Sequence, residues 1–172
     1  MRQRLLAILR LTADGSTGDM PNSPVIVLAT VAAIAAAAVG GLFYAFSTFV
    51  MRGLDRTGPA AAATAMRGIN AEAAGNAPFL ALFLGSALIA LVVGVAALTQ
   101  LRLPGSGWLL AGAVLALLPL VVTVAVNVPL NDRLAGSLPW PDYYRTWTLW
   151  NHLRTVTPLA GSVLMLIGVR LR

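Results

Sequence analysis

Three uncharged stretches, 20–51, 73–101 and 103–131, and a shorter fourth, 155–169, alternate with polar segments along the chain. Each of the first three exceeds the ~20 apolar residues a helix needs to cross a bilayer core of ~30 Å. The fourth is too short alone at ~1.5 Å per residue. It must borrow from 147–154, which places Arg154 at the headgroup boundary or inside the bundle. The pattern predicts an all-α integral membrane protein, an antiparallel four-helix bundle in one domain, 22–172. Its spans fall at about 24–50, 78–99, 108–126 and 150–169.

Small residues recur four apart in the first span, at Ala32, Ala36 and Gly40 and at Ala33, Ala37, Gly41 and Ala45. Such spacing lets helix backbones approach closely. Pro78 suits a first turn, where a missing N–H costs nothing. Pro104 and Gly105 mark a tight connection, so the second and third helices are expected to be antiparallel neighbours. Pro119 and Pro158 predict kinks. Pro129 biases Val128 away from helical angles, so the third helix is expected to end near Asn127. Pro141 and Asp142 suit the start of the fourth helix. Its first two turns should lie beyond the membrane or in the headgroup layer.

With four spans, the first and third connections share a side. They hold Arg52, Asp55, Arg67, Asn70, Glu72 and Asn76, and the polar run 127–154. One polar mouth at one end of the bundle follows. Residues 1–21 read as a flexible or surface-lying tail, and the native start is open between Met1 and Met20, where the apolar run begins.

Composition narrows the class. A mean hydropathy of +0.81, with 58% hydrophobic and 10% charged residues, is too apolar for an ordinary soluble domain. Cysteine is absent, which excludes disulfides and thiol chemistry. One histidine and six scattered acids supply no plausible metal site. The net charge of +6 comes from 12 arginines that flank apolar runs rather than forming one basic stripe. They suit anionic lipid headgroups, so the expected partner is the bilayer and not nucleic acid. The arginines divide evenly between the two ends. Setting aside those of the polar mouth, the remainder place both termini in the cytoplasm of a multi-pass plasma-membrane protein.

Polar groups are costly in lipid, so their crowding into 127–133 and 147–154 marks a candidate site. Tyr143, Trp147, Asn151 and Arg154 recur at helical spacing on one stripe, continued by Pro158, Gly161 and Gly168. His152 and Thr155 share an adjacent stripe with Thr148, and Trp150 lies beside Trp147. One reading is a pocket with flat aromatic walls and amide and cationic groups. The other is an interfacial belt. The belt suits Trp140, Tyr144 and Arg145, and the pocket suits Asn151 and Arg154.

Asn127 and Asn131 bracket Pro129, either as local caps or as ligand-binding groups. Asp132 can pair with Arg133 or, across the loop, with Arg154. His152 is the sole imidazole, a group suited to taking a proton near neutrality, or else a hydrogen-bonded structural group. Arg52 and Asp55 fit a surface ion pair.

The stretches 41–51 (GLFYAFSTFVM), 65–70 (AMRGIN), 127–134 (NVPLNDRL) and 147–155 (WTLWNHLRT) resemble the anthrone oxygenase-like family of small four-helix membrane proteins. The similarity covers about 34–161. It implies oxidation of an anthrone or another hydroxylated aromatic to a quinone by dioxygen, with no cofactor. On that resemblance the catalytic group is His152 as base, with Arg154 and Asn151 stabilising the enolate oxygen. Asn127, Asn131, Asp132, Tyr143, Trp147, Trp150 and Asn70 are the expected substrate-binding residues. The alternative is a non-enzymatic small-molecule binder, a transport component or a membrane-assembly protein, in which the same residues form a structural network.

Overall fold

The computed structural model describes residues 24–172, so the expected tail and both candidate starts, Met1 and Met20, lie outside the described residues. The described residues are helical apart from short connecting turns, with no strand. The elements are α1 (Pro24–Ala45), α2 (Met51–Asp55), α3 (Pro59–Gly75), α4 (Ala77–Thr99), α5 (Ser106–Val122), α6 (Val128–Gly136) and α7 (Trp140–Arg170). A π-helical segment, Phe46–Val50, joins α1 to α2, and another, Thr123–Asn127, joins α5 to α6.

Four continuous helices are long and apolar enough to cross a membrane: Pro24–Asp55, Ala77–Thr99, Ser106–Gly136 and Trp140–Arg170. Their inner faces carry small side chains. Ala29, Ala32, Ala36, Ala90, Ala97 and Ala113 pack around Leu109 and Met165. The outer faces carry large ones, such as Ile34, Leu88, Val95, Val121 and Val163. This reverses a soluble helix. Lipid is as apolar as leucine, so close backbone approach, not water exclusion, drives the association.

The closest approach is between α5 and α7. A Cβ added at Gly161 would lie 2.6 Å from the Gly112 carbonyl oxygen, and one at Gly112 would lie 2.7 Å from the Gly161 carbonyl oxygen. Gly105 meets Gly168 at one end of this seam, and Thr123 meets Arg154 towards the other, so the two helices run in opposite directions. Backbone opposes backbone there, so no side chain can swing aside. Gly161→Val is expected to destabilise the fold by about 3 kcal/mol, the upper range for overpacking. Thermal unfolding in detergent, followed by circular dichroism, measures it.

Three boundaries differ from the sequence expectation. The first span runs on past Val50 to Asp55. The connection after it folds as a helix, α3, with Pro59 in its first turn. The third span does not stop at Asn127 but continues to Gly136. Pro129 is accommodated because the π segment resets the hydrogen-bond ladder just before it. Pro129 then falls in the first turn of α6, where its missing N–H is not needed.

These extensions bring the two connections together. Met51, Met66, Leu134, Trp140 and Tyr143 form one apolar cluster. Trp140 Nε1 donates to Asp55 Oδ1 at 2.8 Å, so Asp55 serves this contact and Trp140 is buried rather than part of a belt. Arg67 Nη1 donates to the Leu134 carbonyl at 3.4 Å. At the opposite end Arg172 donates to Gln100 Oε1 at 3.0 Å and to Ser106 Oγ at 2.8 Å, tying α7 to the α4–α5 connection.

Candidate functional site

The site is built on the inward stripe of α7. Tyr143, Trp147, Asn151 and Arg154 follow one another three or four residues apart, and all are buried. Arg154 is only 4% exposed. Its Nη1 donates to Thr123 Oγ1 at 3.1 Å and its Nη2 to Asn151 Oδ1 at 2.8 Å. The Asn127 amide oxygen, turned to face donors, accepts from Arg154 Nη2 and Trp147 Nε1 at 3.2 Å each. The guanidinium carbon lies 4.4 Å from the Phe43 ring centre and 4.8 Å from that of Trp147. Both are within cation–π range.

Every hydrogen-bond partner of Arg154 among the described residues is neutral. Its pairing with Asp132, open on the sequence, is not made. A buried cation with no carboxylate to offset its desolvation is an expensive arrangement. Two π segments support it. The second presents Thr123 and Asn127 to the guanidinium, and Thr123 Oγ1 donates in turn to the Pro119 carbonyl at 2.7 Å. The first presents Ser47, whose Oγ accepts from Asn151 Nδ2 at 2.8 Å and lies 2.9 Å from Thr155 Oγ1. Asn151 Nδ2 also donates to the Phe43 carbonyl at 2.8 Å, where the ladder widens. π turns inside α-helices occur often at functional sites.

Arg154 forms part of the wall of a cavity of about 980 Å³. Phe43, Phe46, Phe79, Phe83, Leu120 and Trp147 supply apolar walls, and α3 and α6 supply Arg67, Asn70, Glu72, Asn131 and Asp132. Tyr143 is wholly buried, and its hydroxyl donates to Asn131 Oδ1 at 2.9 Å. Asn70 Nδ2 is buried beside that hydroxyl without an acceptor in hydrogen-bond geometry. A buried guanidinium therefore meets an apolar space with flat walls. No group of three His, Asp or Glu side chains converges among the described residues.

Of the residues singled out from sequence, Asn70, Asn131, Asp132, Trp147 and Arg154 line this cavity. Asn127, Asn151 and Tyr143 stand behind the lining and hold it through hydrogen bonds. Trp150 and His152 do not line it. His152 is exposed. At about 100° per residue it falls on the face of α7 opposite Arg154, so the base role expected for it has no geometric support. Phe43, Phe46, Phe79, Phe83 and Thr123 line the cavity without having been singled out, and Glu72, named only as part of the polar mouth, lines it too. The run 41–51 did carry a signal for the first two, as an aromatic repeat inside a stretch quoted for the resemblance.

These features define a multi-pass helical membrane protein that buries a cation, unpaired with any carboxylate, against an aromatic-walled cavity. The family model for anthrone oxygenase matches residues 77–164, just over half of the chain, and the protein belongs to that family. The match spans α4 to α7 and includes Asn127, Asn131, Asp132, Trp147, Asn151 and Arg154. No curated protein and no solved structure matches the chain.

Proposed function

We propose that the protein is a cofactor-independent oxygenase that converts an anthrone-like hydroxylated aromatic to its quinone with dioxygen. The observation that carries this reading is Arg154, a buried cation with neutral partners facing an apolar cavity. Such a site awaits an anion that the ligand brings or develops. An anthrone does so. Loss of a proton from its methylene carbon places negative charge on the carbonyl oxygen. A preformed donor in a dry site stabilises that charge more than water does.

Asp132 takes the proton. It lines the cavity, and no hydrogen bond holds its carboxylate among the described residues, whereas Glu72 Oε1 accepts from Asn76 Nδ2 at 3.2 Å. The carbanion carbon then gives its electron pair to dioxygen, one electron at a time, forming a C–O bond. The resulting hydroperoxide breaks its O–O bond as the second C–H proton leaves. The carbon becomes a carbonyl and the distal oxygen departs as water. One substrate and one dioxygen give one quinone and one water. The substrate is the reductant, so no side chain supplies electrons.

Oxygen uptake by the purified protein with an anthrone tests the reading. Uptake above the spontaneous rate is expected, with quinone formed in equal amount. His152→Ala should retain the wild-type rate. Asp132→Asn should slow uptake on the order of tenfold, below the usual range for a general base because an anthrone C–H is already acidic. Tight binding of a hydroxyanthraquinone without uptake above background would assign the protein to the non-enzymatic class of binders.

The plasma membrane, with both termini cytoplasmic, is the proposed setting. A phosphatase fused after Arg172 should then be inactive and a fluorescent protein bright. The reverse result inverts the topology.

A further inference from the structure

The cavity has two rims of opposite chemistry. Arg67, Glu72 and Asp132, all exposed, form one. Leu84, Val124 and Val128 form part of the other, at 49%, 63% and 44% exposure. The apolar rim belongs to two apolar spans, Ala77–Thr99 and Ser106–Gly136. Leu84 lies about 10 Å along α4 from its first residue at the usual rise, well inside a ~30 Å hydrocarbon layer. Val124 follows Thr123 directly, and Thr123 accepts from Arg154. The exposed apolar rim and the group that holds the buried cation are therefore adjacent in sequence.

We propose that the cavity opens sideways into the bilayer between α4 and the second π segment. A flat, membrane-dissolved aromatic with an ionisable oxygen reaches Arg154 through this window rather than from water. The inference rests on the proposed reading of the cavity as the site of such a ligand. Three features in sequence along the path fit that ligand. Aliphatic side chains at the rim cost an apolar polycycle nothing on leaving lipid. Phe79 and Phe83, stacked 5.7 Å apart with ring planes 6° from parallel, give a flat ledge on the α4 side. The donor, the Arg154 guanidinium, comes last. A ligand arriving from lipid sheds no hydration shell from its rings. Its polar edge meets donors only at the end of the path.

The absence of cysteine makes the window testable after folding. Cysteine is introduced at Leu84 or Val124 for the lipid rim, and at Ala71 or Ala135, both exposed cavity-lining positions, for the water rim. Each folded variant, in lipid nanodiscs, is coupled to a bulky apolar methanethiosulfonate. Binding of a fluorescent dihydroxyanthraquinone is then followed by stopped flow. Blocking the lipid rim is expected to slow association and dissociation alike, on the order of tenfold, with little change in equilibrium affinity. Blocking the water rim should leave both rates unchanged. Slowing at the water rim alone, or at neither rim, overturns the proposal while leaving the oxygenase reading intact. Failure of the unmodified protein to bind the quinone overturns both.

Discussion

Arg154→Met is expected to abolish most anthrone oxidation while leaving the protein as stable as the wild type or more so. The two halves of this result have separate causes. Loss of a single oxyanion donor costs roughly 10²–10³ in turnover. Arg154 is charged and buried, and it is held toward the cavity by Thr123, Asn127 and Asn151, so the upper part of that range applies. Arg154→Lys should recover little of the loss. A lysine offers one compact ammonium, which cannot reach all three partners and also lie against Phe43 and Trp147 as a planar guanidinium does.

Stability runs the other way. Methionine fills similar space and removes the desolvation penalty of a buried cation, several kcal/mol in general. Among the partners, Asn151 Oδ1 alone is stranded, at a cost of about 1–3 kcal/mol. Asn127 keeps Trp147 Nε1, and Thr123 keeps the Pro119 carbonyl. A membrane protein in which these residues served only as structural glue would lose stability on the same substitution. Oxygen uptake and thermal unfolding of one variant therefore separate an oxygenase from a structural network. A drop in both together would remove Arg154 from the chemistry.

The four spans were legible in the sequence because uncharged length is a direct signal of hydrocarbon burial. The stripe Tyr143, Trp147, Asn151 and Arg154 was legible too, because helical spacing survives in a single helix from Trp140 to Arg170. At about 100° per residue, the two-residue step between His152 and Arg154 turns His152 outward when Arg154 faces in. Its identity as the sole histidine outweighed its angle. What sequence did not carry was the shape of the polar connections. Run 59–75 is rich in alanine and has a proline at its start, both helix signals, yet span counting registers it only as the connection between two spans. The π segments were illegible for a different reason. They insert no distinctive residue, and only the later packing of α6 on α3 and α7 requires them. Pro129 gave a true warning of disturbance in the ladder. It could not say whether the chain would stop or widen and continue.

That widening is itself open to test. Deleting Ala125 from Thr123–Asn127 should restore an ordinary α-helix through the third span, since one residue is the difference between the two ladders. The span itself would survive, because its lipid-facing residues remain apolar. Beyond the deletion, α6 would turn by about 100° and shift by about 1.5 Å relative to α5. Leu130 and Leu134 would then leave the cluster around Met66 and Tyr143, and Asn131 would lose the Tyr143 hydroxyl. Asp132 would move away from the cavity, and Thr123 and Asn127 could no longer both reach Arg154. The expected outcome is a protein with near-native helix content by circular dichroism that no longer binds a hydroxyanthraquinone and takes up oxygen at the spontaneous rate. Replacing the exposed Arg102 by alanine in the connection 100–105, far from the cavity, should leave binding and uptake in place. Retention of uptake in the Ala125 deletion would show that the π geometry plays no part in placing Arg154 and Asp132.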